Sequence, residues 1–233
     1  MRITKDSISI IIPCKDNLQG LQECVEALKK NTQGNYNLII VDRNSKDGTK
    51  EWLLGKEVAS HIITNKHKVC VVGAINQGVR VVKTEWFAVV TPSVIVEDRD
   101  WLDKMWNYTI DDRVGLVETR VKVKGDYVFA GINCCLIRRR CFEEVGYFDR
   151  SFVDAGASDW LMRLEGSRWK TGWCYDTDIK MSETLLFSDR INQMIIYKYT
   201  VGFVKDTLTK NKEERLNKEK ALLCVEEKER TLA

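Results

Sequence analysis

The sequence predicts an α/β fold: a mostly parallel sheet flanked by helices, then a mixed second half and a helical C-terminal tail. Three observations predict it. Short, fully apolar, β-branched runs (ISIIIP, LIIVD, WFAVV) have the composition of strands buried on both faces. Segments with apolar residues at helical spacing alternate with them, the order that right-handed parallel crossovers require. Each early run stops at a polar, turn-forming loop.

Ile8 to Pro13 is the first predicted strand. Leu21, Cys24, Val25 and Leu28 recur at helical spacing and predict an amphipathic helix from Gln19 to Asn31. Leu38 to Asp42 reads as a second buried strand, followed by the turn Asn44-Ser45-Lys46-Asp47-Gly48 and a short helix through Trp52 and Leu54. A strand at His61 to Thr64, a helix through Ile75, Val79 and Val82, and a strand from Trp86 to Val90 continue the alternation. A helix from Asp100 to Thr109 follows. Longer strands are expected at Val114 to Val123 and Tyr127 to Arg138, helices at Cys141 to Val145 and Ser158 to Glu165, and a strand at Trp169 to Tyr175. From about Asp189 the chain reads as helix, with charge dominating from Lys205 to Arg230.

Ligands of open parallel sheets sit at the carboxyl ends of the strands. The rule selects Pro13 to Asp16, Asp42 to Ser45, Asn65 to Lys68 and Thr91 to Ser93. Asp42 is the sharpest candidate, because a carboxylate at a strand's end can accept hydrogen bonds from a base or a ribose. Its alternative is a turn or capping residue, the expectation for Asp47. The predicted organisation is therefore one domain over 1–188, with a nucleotide-holding half (1–110) and a half facing the second substrate (111–188), plus an extension over 189–233.

The 233 residues, 44% hydrophobic, suffice for one sizeable core, and 37 basic against 34 acidic residues leave a net charge of only +3. No strong field therefore draws the whole molecule to nucleic acid or anionic lipid. The eight cysteines include no C-x-x-C pair, which favours buried free thiols in a reducing compartment over a disulfide framework or zinc site. No apolar run approaches the roughly 20 residues of a membrane span, and Met1 to Asp6 is polar. The expectation is a cytoplasmic protein, at most peripheral at a membrane.

The run IIIPCKDNLQGLQECVEALKKNT followed by YNLIIVDRNSKDGTKEWL resembles the opening of the family-two glycosyltransferases of GT-A fold. That family has a strand ending in Pro-Thr-Tyr-Asn, an amphipathic helix, and a strand ending in Val-Asp-Asp-x-Ser-x-Asp-Gly-Thr. Asn65 and Asn76-x-Gly78 resemble its Asn-x-Gly elements, and GINCCLIRRRCFEEVGYFDRSF is similar to its acceptor-side segment. The likeness covers roughly the first 180 residues and implies a nucleotide-sugar donor. It places Cys14, Lys15, Asp16, Asp42, Ser45, Asn65 and Asn76 around the donor, and the strand-end rule adds Pro13, Asn44, Lys66, Thr91 and Ser93. Gly131, Asn133, Trp160 and Arg163 fall on the acceptor side.

Two departures matter. Where the family carries a metal-binding Asp-x-Asp, this chain has Thr91-Pro92-Ser93. The Mn²⁺ or Mg²⁺ that the resemblance implies loses its carboxylate anchor, because hydroxyls are poor ligands for such ions. Metal-independence is the alternative, with Lys15, Lys66, Lys68 and Arg99 available to the diphosphate. Where the family carries a Glu-Asp pair that supplies the general base, the Asp-x-x-x-Arg spacing of Asp159 and Arg163 leaves Gly156 and Ala157. Asp159 and Asp154 are the two remaining candidates for the base. For Asp159 the competing role is a first-turn helix residue paired with Arg163.

Trp160, Trp169, Trp173 and Tyr175 gather in the acceptor-side half, where a ring can face a pyranose, although core packing accounts for most of the four. The implied activity is inverting transfer of a sugar to an acceptor hydroxyl, the acceptor being a glycan, lipid, protein, nucleic acid or small molecule. A catalytically degenerate module that binds a nucleotide-sugar or a protein partner is the alternative. Nucleotidyltransferases and dinucleotide-binding oxidoreductases fit less well, since no glycine-rich loop follows the first strand. The terminal helix could also pair with a copy of itself.

Overall fold

The computed structural model describes residues 8–181, apart from residues 56, 124 and 153–155 and the side chains of residues 126 and 128. The expected helix over 189–233, and any self-association through it, lie outside the described residues. Along the chain come β1 (Ile8–Cys14), α1 (Leu18–Asn31), β2 (Asn37–Asp42), α2 (Thr49–Leu54), β3 (His61–Thr64), α3 (Val71–Val81), β4 (Trp86–Val90), β5 (Val94–Val96) and α4 (Trp101–Trp106). The second half has β6 (Val114–Val123), β7 (Asp126–Phe129), β8 (Cys134–Arg138), α5 (Arg139–Val145), α6 (Gly156–Glu165), β9 (Lys170–Cys174) and β10 (Ile179–Met181).

Strands β3, β2, β1 and β4 lie side by side and parallel, as the alternating pattern requires. β8 then enters antiparallel between β4 and β6, and β9 runs parallel to β6 on the far side. β6 is ten residues long and serves two sheets. Its first part pairs with β8 and β9, and its last part pairs with β7 and touches β10, which in turn pairs with β5.

Burial follows the alternation of side chains across the sheet. Ile8, Ile10 and Ile12 pack with Leu21, Cys24, Val25 and Leu28 of α1 on one face, while Ile11, Ile39, Val41 and Val89 pack with α3, α5 and α6 on the other. Asn17 caps α1 by accepting the Gly20 N–H at 3.2 Å, and Lys29 and Lys30 end the helix where its dipole favours cations. The seven described cysteines are free thiols, and all but Cys70 are buried. Among the described residues no helix is long and apolar enough to cross a membrane.

Two expectations are corrected, and two short strands are added. The strand expected from Tyr127 to Arg138 is broken in two, because Gly131 takes a φ of 57° and the chain turns through a 3-10 segment, Gly131–Asn133, before β8. The helix expected to reach Thr109 ends as α-helix at Trp106 and tightens into 3-10 geometry over Asn107–Thr109. β5 and β10 were not expected at all, since a three-residue strand is too short to carry a periodic signal.

Helix α3 approaches β1 so closely that a Cβ added at Gly78 would stand 2.7 Å from Cγ2 of Ile11. Gly78→Ala raises helix propensity by about 1 kcal/mol. It also overfills a rigid core position at a cost of about 1–3 kcal/mol. The expected outcome is a net loss of stability, read as a lower midpoint in chemical denaturation with unchanged slope; a raised midpoint would contradict this packing.

Candidate active site

The parallel register sets Cys14, Asp42 and Thr64 level with one another at the carboxyl edge of β1, β2 and β3. Asp42 is 1% exposed, and its carboxylate accepts the Ser45 N–H through both oxygens at 3.0 and 3.4 Å. Its carbonyl accepts both the backbone N–H (3.1 Å) and the side-chain amide (2.8 Å) of Asn65, in the loop after β3. Asn65 is held in turn by a reciprocal amide pair with Gln77 of α3 at 3.0 and 2.9 Å.

The neighbouring loops are bonded to one another as well. The Asp16 N–H donates to the Ser45 hydroxyl at 3.0 Å, the Lys46 N–H donates to the Asp16 carboxylate at 2.7 Å, and Lys15 pairs with that same carboxylate. Asn44 reaches across to the Lys66 carbonyl at 3.1 Å. Asp47 accepts the Leu18 N–H that opens α1 (2.7 Å) and the Thr49 N–H (3.2 Å) and hydroxyl (2.6 Å) that open α2. Asp16 (φ 47°) and Asn44 (φ 70°) are the two non-glycine residues with positive φ among the described residues, and both lie in these loops. Such left-handed backbone costs on the order of 1 kcal/mol or more and tends to occur where a site demands it.

Cys14 also sits here, donating weakly to the Val41 carbonyl at 3.7 Å. Burial, reinforced by Asp42 and Asp47, pushes its thiol up to about 12, so it stays neutral and is no nucleophile near neutral pH. Arg43 went unnoticed as a site residue. It stands where the family motif has its second Asp, which was the available signal. Half-buried, it donates through Nε to the Val69 carbonyl at 2.7 Å, with Cys70, Cys14 and Asp16 as its electrostatic neighbours. Lys66 and Lys68 are exposed on the next loop.

At the end of β4, Thr91 and Ser93 are buried and share a hydroxyl–hydroxyl hydrogen bond of 2.9 Å. The Thr91 N–H donates to the Asn133 carbonyl at 2.9 Å, which ties this edge to the turn at Gly131. A divalent cation bridging a diphosphate prefers anionic oxygen ligands. Two neutral hydroxyls bonded to each other do not fit one, and no group of three or more His, Cys, Asp or Glu among the described residues could hold a metal.

In the half expected to face an acceptor, Asp159 is 3% exposed in the first turn of α6. Its carboxylate accepts Nε and Nη2 of Arg163 at 3.0 and 2.9 Å. Arg163 also donates to the carbonyls of Val145 (2.7 Å), Gly146 (3.3 Å) and Tyr147 (2.8 Å), clamping the loop after α5. Asn76 completes the clamp: its amide donates to the Phe148 carbonyl at 2.8 Å and accepts the Phe148 N–H at 3.1 Å, which uses the side chain expected near the donor. Trp160, expected to face an acceptor, is 1% exposed, with its indole N–H on the Gly146 carbonyl at 2.9 Å and its ring against Phe142 and Phe148. Asp154 lies outside the described residues. The start of α6 rests on α3, where a Cβ at Gly156 would come within 3.0 Å of Val72.

At the opposite edge of the sheet, a cavity of about 360 Å³ is lined by Arg113, Arg138, Arg140, Arg168 and Trp169. Its arginines are engaged within the protein: Arg113 with Asp111, and Arg140 and Arg168 with the shared Glu144.

Lys15 and the Lys46 N–H hold the Asp16 carboxyl below its ordinary value, and hydrogen bonds from Thr49 and Leu18 do the same for Asp47 against the opposing effect of burial. A carboxyl depressed in the folded state stabilises fully above its unfolded value of about 3.9 and loses that contribution as pH falls through the folded value. On acid titration below about pH 4, the amide resonances of Leu18, Lys46 and Thr49 are expected to shift ahead of global unfolding. Shifts that coincide with global unfolding would remove the two carboxylates as loop ties.

A profile of glycosyl transferase family 2 matches residues 9–157, more than half of the chain. A comparison with curated protein sequences returns no match. Among solved structures, the fold is similar to that of the mannosyltransferase PcManGT from Pyrobaculum calidifontis, solved with GDP-Man and Mn²⁺: TM-score 0.60, 14% identity, 81% of this chain and 61% of that one. S. aureus TarS 1-349, solved with UDP-GlcNAc, gives a TM-score of 0.61 at 11% identity over 76% of this chain and 58% of that one. The chain thus spans less than two thirds of the length of either structure. The likeness establishes the GT-A fold, and the matched profile establishes that the chain belongs to glycosyl transferase family 2.

Proposed function

We propose that the chain moves a sugar from a nucleotide-sugar donor to an acceptor hydroxyl with inversion at the anomeric carbon. The observation that carries this reading is the cross-bonded set of loops at the carboxyl edge, centred on the buried Asp42 carboxylate. Solved structures of similar fold carry GDP-Man and UDP-GlcNAc, which supports a donor of this chemical class. In this reading Asp42, Asn44, Ser45 and Asn65 frame the nucleoside, while Pro13, Cys14 and Asp16 wall the pocket beside them. Thr91 and Ser93 lie toward the phosphates, and Lys15, Arg43 and Lys66 supply charge-assisted donors to the departing diphosphate. Gly131 and Asn133 stand at the border with the acceptor.

Direct displacement needs a base for the proton that the acceptor oxygen releases as it attacks. Asp159 is our candidate, positioned in the first turn of α6, with Asp154 as the second. For Asp159 the ion pair with Arg163 engages the carboxylate. That engagement, together with the hydroxyl pair at Thr91 and Ser93, favours the second reading, a module that binds a nucleotide-sugar or a protein partner without turnover.

Calorimetry with UDP and GDP, with and without Mn²⁺, is expected to show binding of at least one nucleotide. Asp42→Asn should weaken it about tenfold, as loss of a hydrogen bond to a charged group implies. Absence of binding by both nucleotides would sink the donor site, and binding without transfer or hydrolysis across a donor panel would select the second reading. If Asp159 is the base, Asp159→Asn lowers turnover by about 10²- to 10⁴-fold while nucleotide affinity stays unchanged. A variant that only melts earlier, with turnover retained per folded molecule, would reassign Asp159 to the clamp.

A further inference from the structure

Alternation along β6 sends Val117, Thr119, Val121 and Val123 into the core and puts Glu118, Arg120 and Lys122 on the other face. The register sets Trp173 of β9 opposite Glu118, Phe129 of β7 opposite Arg120, and Tyr127 opposite Lys122. One face of three adjacent strands thus gathers aromatic rings around two cations. Phe129 meets Trp173 edge to face at 4.6 Å and Tyr175 at 5.3 Å. Arg120 lies over the Tyr127 ring at 4.2 Å.

The rings are not buried by this packing. Trp173 is 43%, Tyr127 47% and Tyr175 50% exposed, whereas Trp160 and Trp169 of the same half are 1% and 6% exposed. Mutual edge-to-face contacts fix the ring planes while leaving area open to solvent, an arrangement suited to a ligand with flat apolar surfaces. Nε of Arg120 is buried without a hydrogen-bond partner, a state it shares with Nε of Arg138 and Arg139.

This face is joined to the donor edge by a chain of backbone bonds. The Thr91 N–H donates to Asn133 O (2.9 Å), the Asn133 N–H to Ala130 O (3.1 Å) and the Ala130 N–H to Thr119 O (3.0 Å). Phe129 adjoins Ala130, and Arg120 adjoins Thr119, so the aromatic face begins where the β4 loop is anchored.

We infer that this face docks an acidic oligosaccharide as the acceptor, with Trp173 and Tyr175 stacking on pyranose rings and Arg120 meeting a carboxylate. The inference rests on the transferase reading, because an acceptor has to reach the donor's anomeric carbon. Pyranose rings present apolar C–H faces to aromatic planes, and the planar guanidinium matches a carboxylate. A neutral glycan would use the rings alone.

The test uses the full chain with two probes, hyaluronan hexasaccharide (acidic) and chitohexaose (neutral), followed by tryptophan fluorescence and calorimetry. The acidic probe is expected to bind at least about tenfold more tightly, as a charge-assisted hydrogen bond implies. Trp173→Ala should weaken both probes, Trp173→Phe should restore most of the binding, and Arg120→Gln should abolish the preference between them. Nucleotide binding by the same variants serves as the fold control and is expected to be unchanged. Failure of both probes to bind a chain that still binds nucleotide overturns the inference and leaves the donor site standing. Equal binding of the two probes by the native chain, binding unaffected by Trp173→Ala, or a dimer that dissociates on Trp173→Ala each overturns it as well. Loss of nucleotide binding by the native chain instead overturns the transferase reading on which it rests.

Discussion

The carboxyl edge depends on one buried residue, Asp42, which ends a central strand with its carboxylate turned back onto Ser45 and its carbonyl claimed twice by Asn65. A buried polar group is costly unless hydrogen-bonded. That requirement fixes the turn after β2 and, through Ser45, the loop after β1. The loop after β3 is tied instead to the backbone carbonyl of the same residue, through Asn65. Asp16 and Asn44, both in left-handed backbone, are where the cost of this convergence is visible.

Most of the first half was legible in the sequence because strands buried on both faces and helices buried on one have distinct periods. β4 was bounded correctly at Trp86 and Val90 as a short apolar run, and β6 at Val114 and Val123 as a β-branched stretch that alternates toward its end, each lying between polar turns. The break within 127–138 was not legible, because one glycine in left-handed geometry interrupts a run whose composition is otherwise that of a strand. The three-residue strands β5 and β10 were hidden for a simpler reason: their pairing is decided by distant partners.

Within the candidate site, the sequence located the loops but did not distinguish side chains facing a ligand from side chains tying the protein to itself. Asn76 shows the difficulty, for the same amide that could meet a donor closes a two-way bond with the backbone of Phe148. Trp160 and Trp173 have the same composition and opposite fates, one sealed in the core and the other half open. Arg43 stands where the family motif has an acid, and its bond to the Val69 carbonyl is set by the fold rather than by the local sequence.

The sharing of β6 between two sheets has a mechanical consequence. Flanked by β8 and β9 over 116–118 and paired with β7 over 120–123, the strand cannot flex between the two stretches without straining the hydrogen bonds of one or the other. The surface carried by β7 and β9 is therefore held in register with β8 and, through it, with β4, whose end carries Thr91.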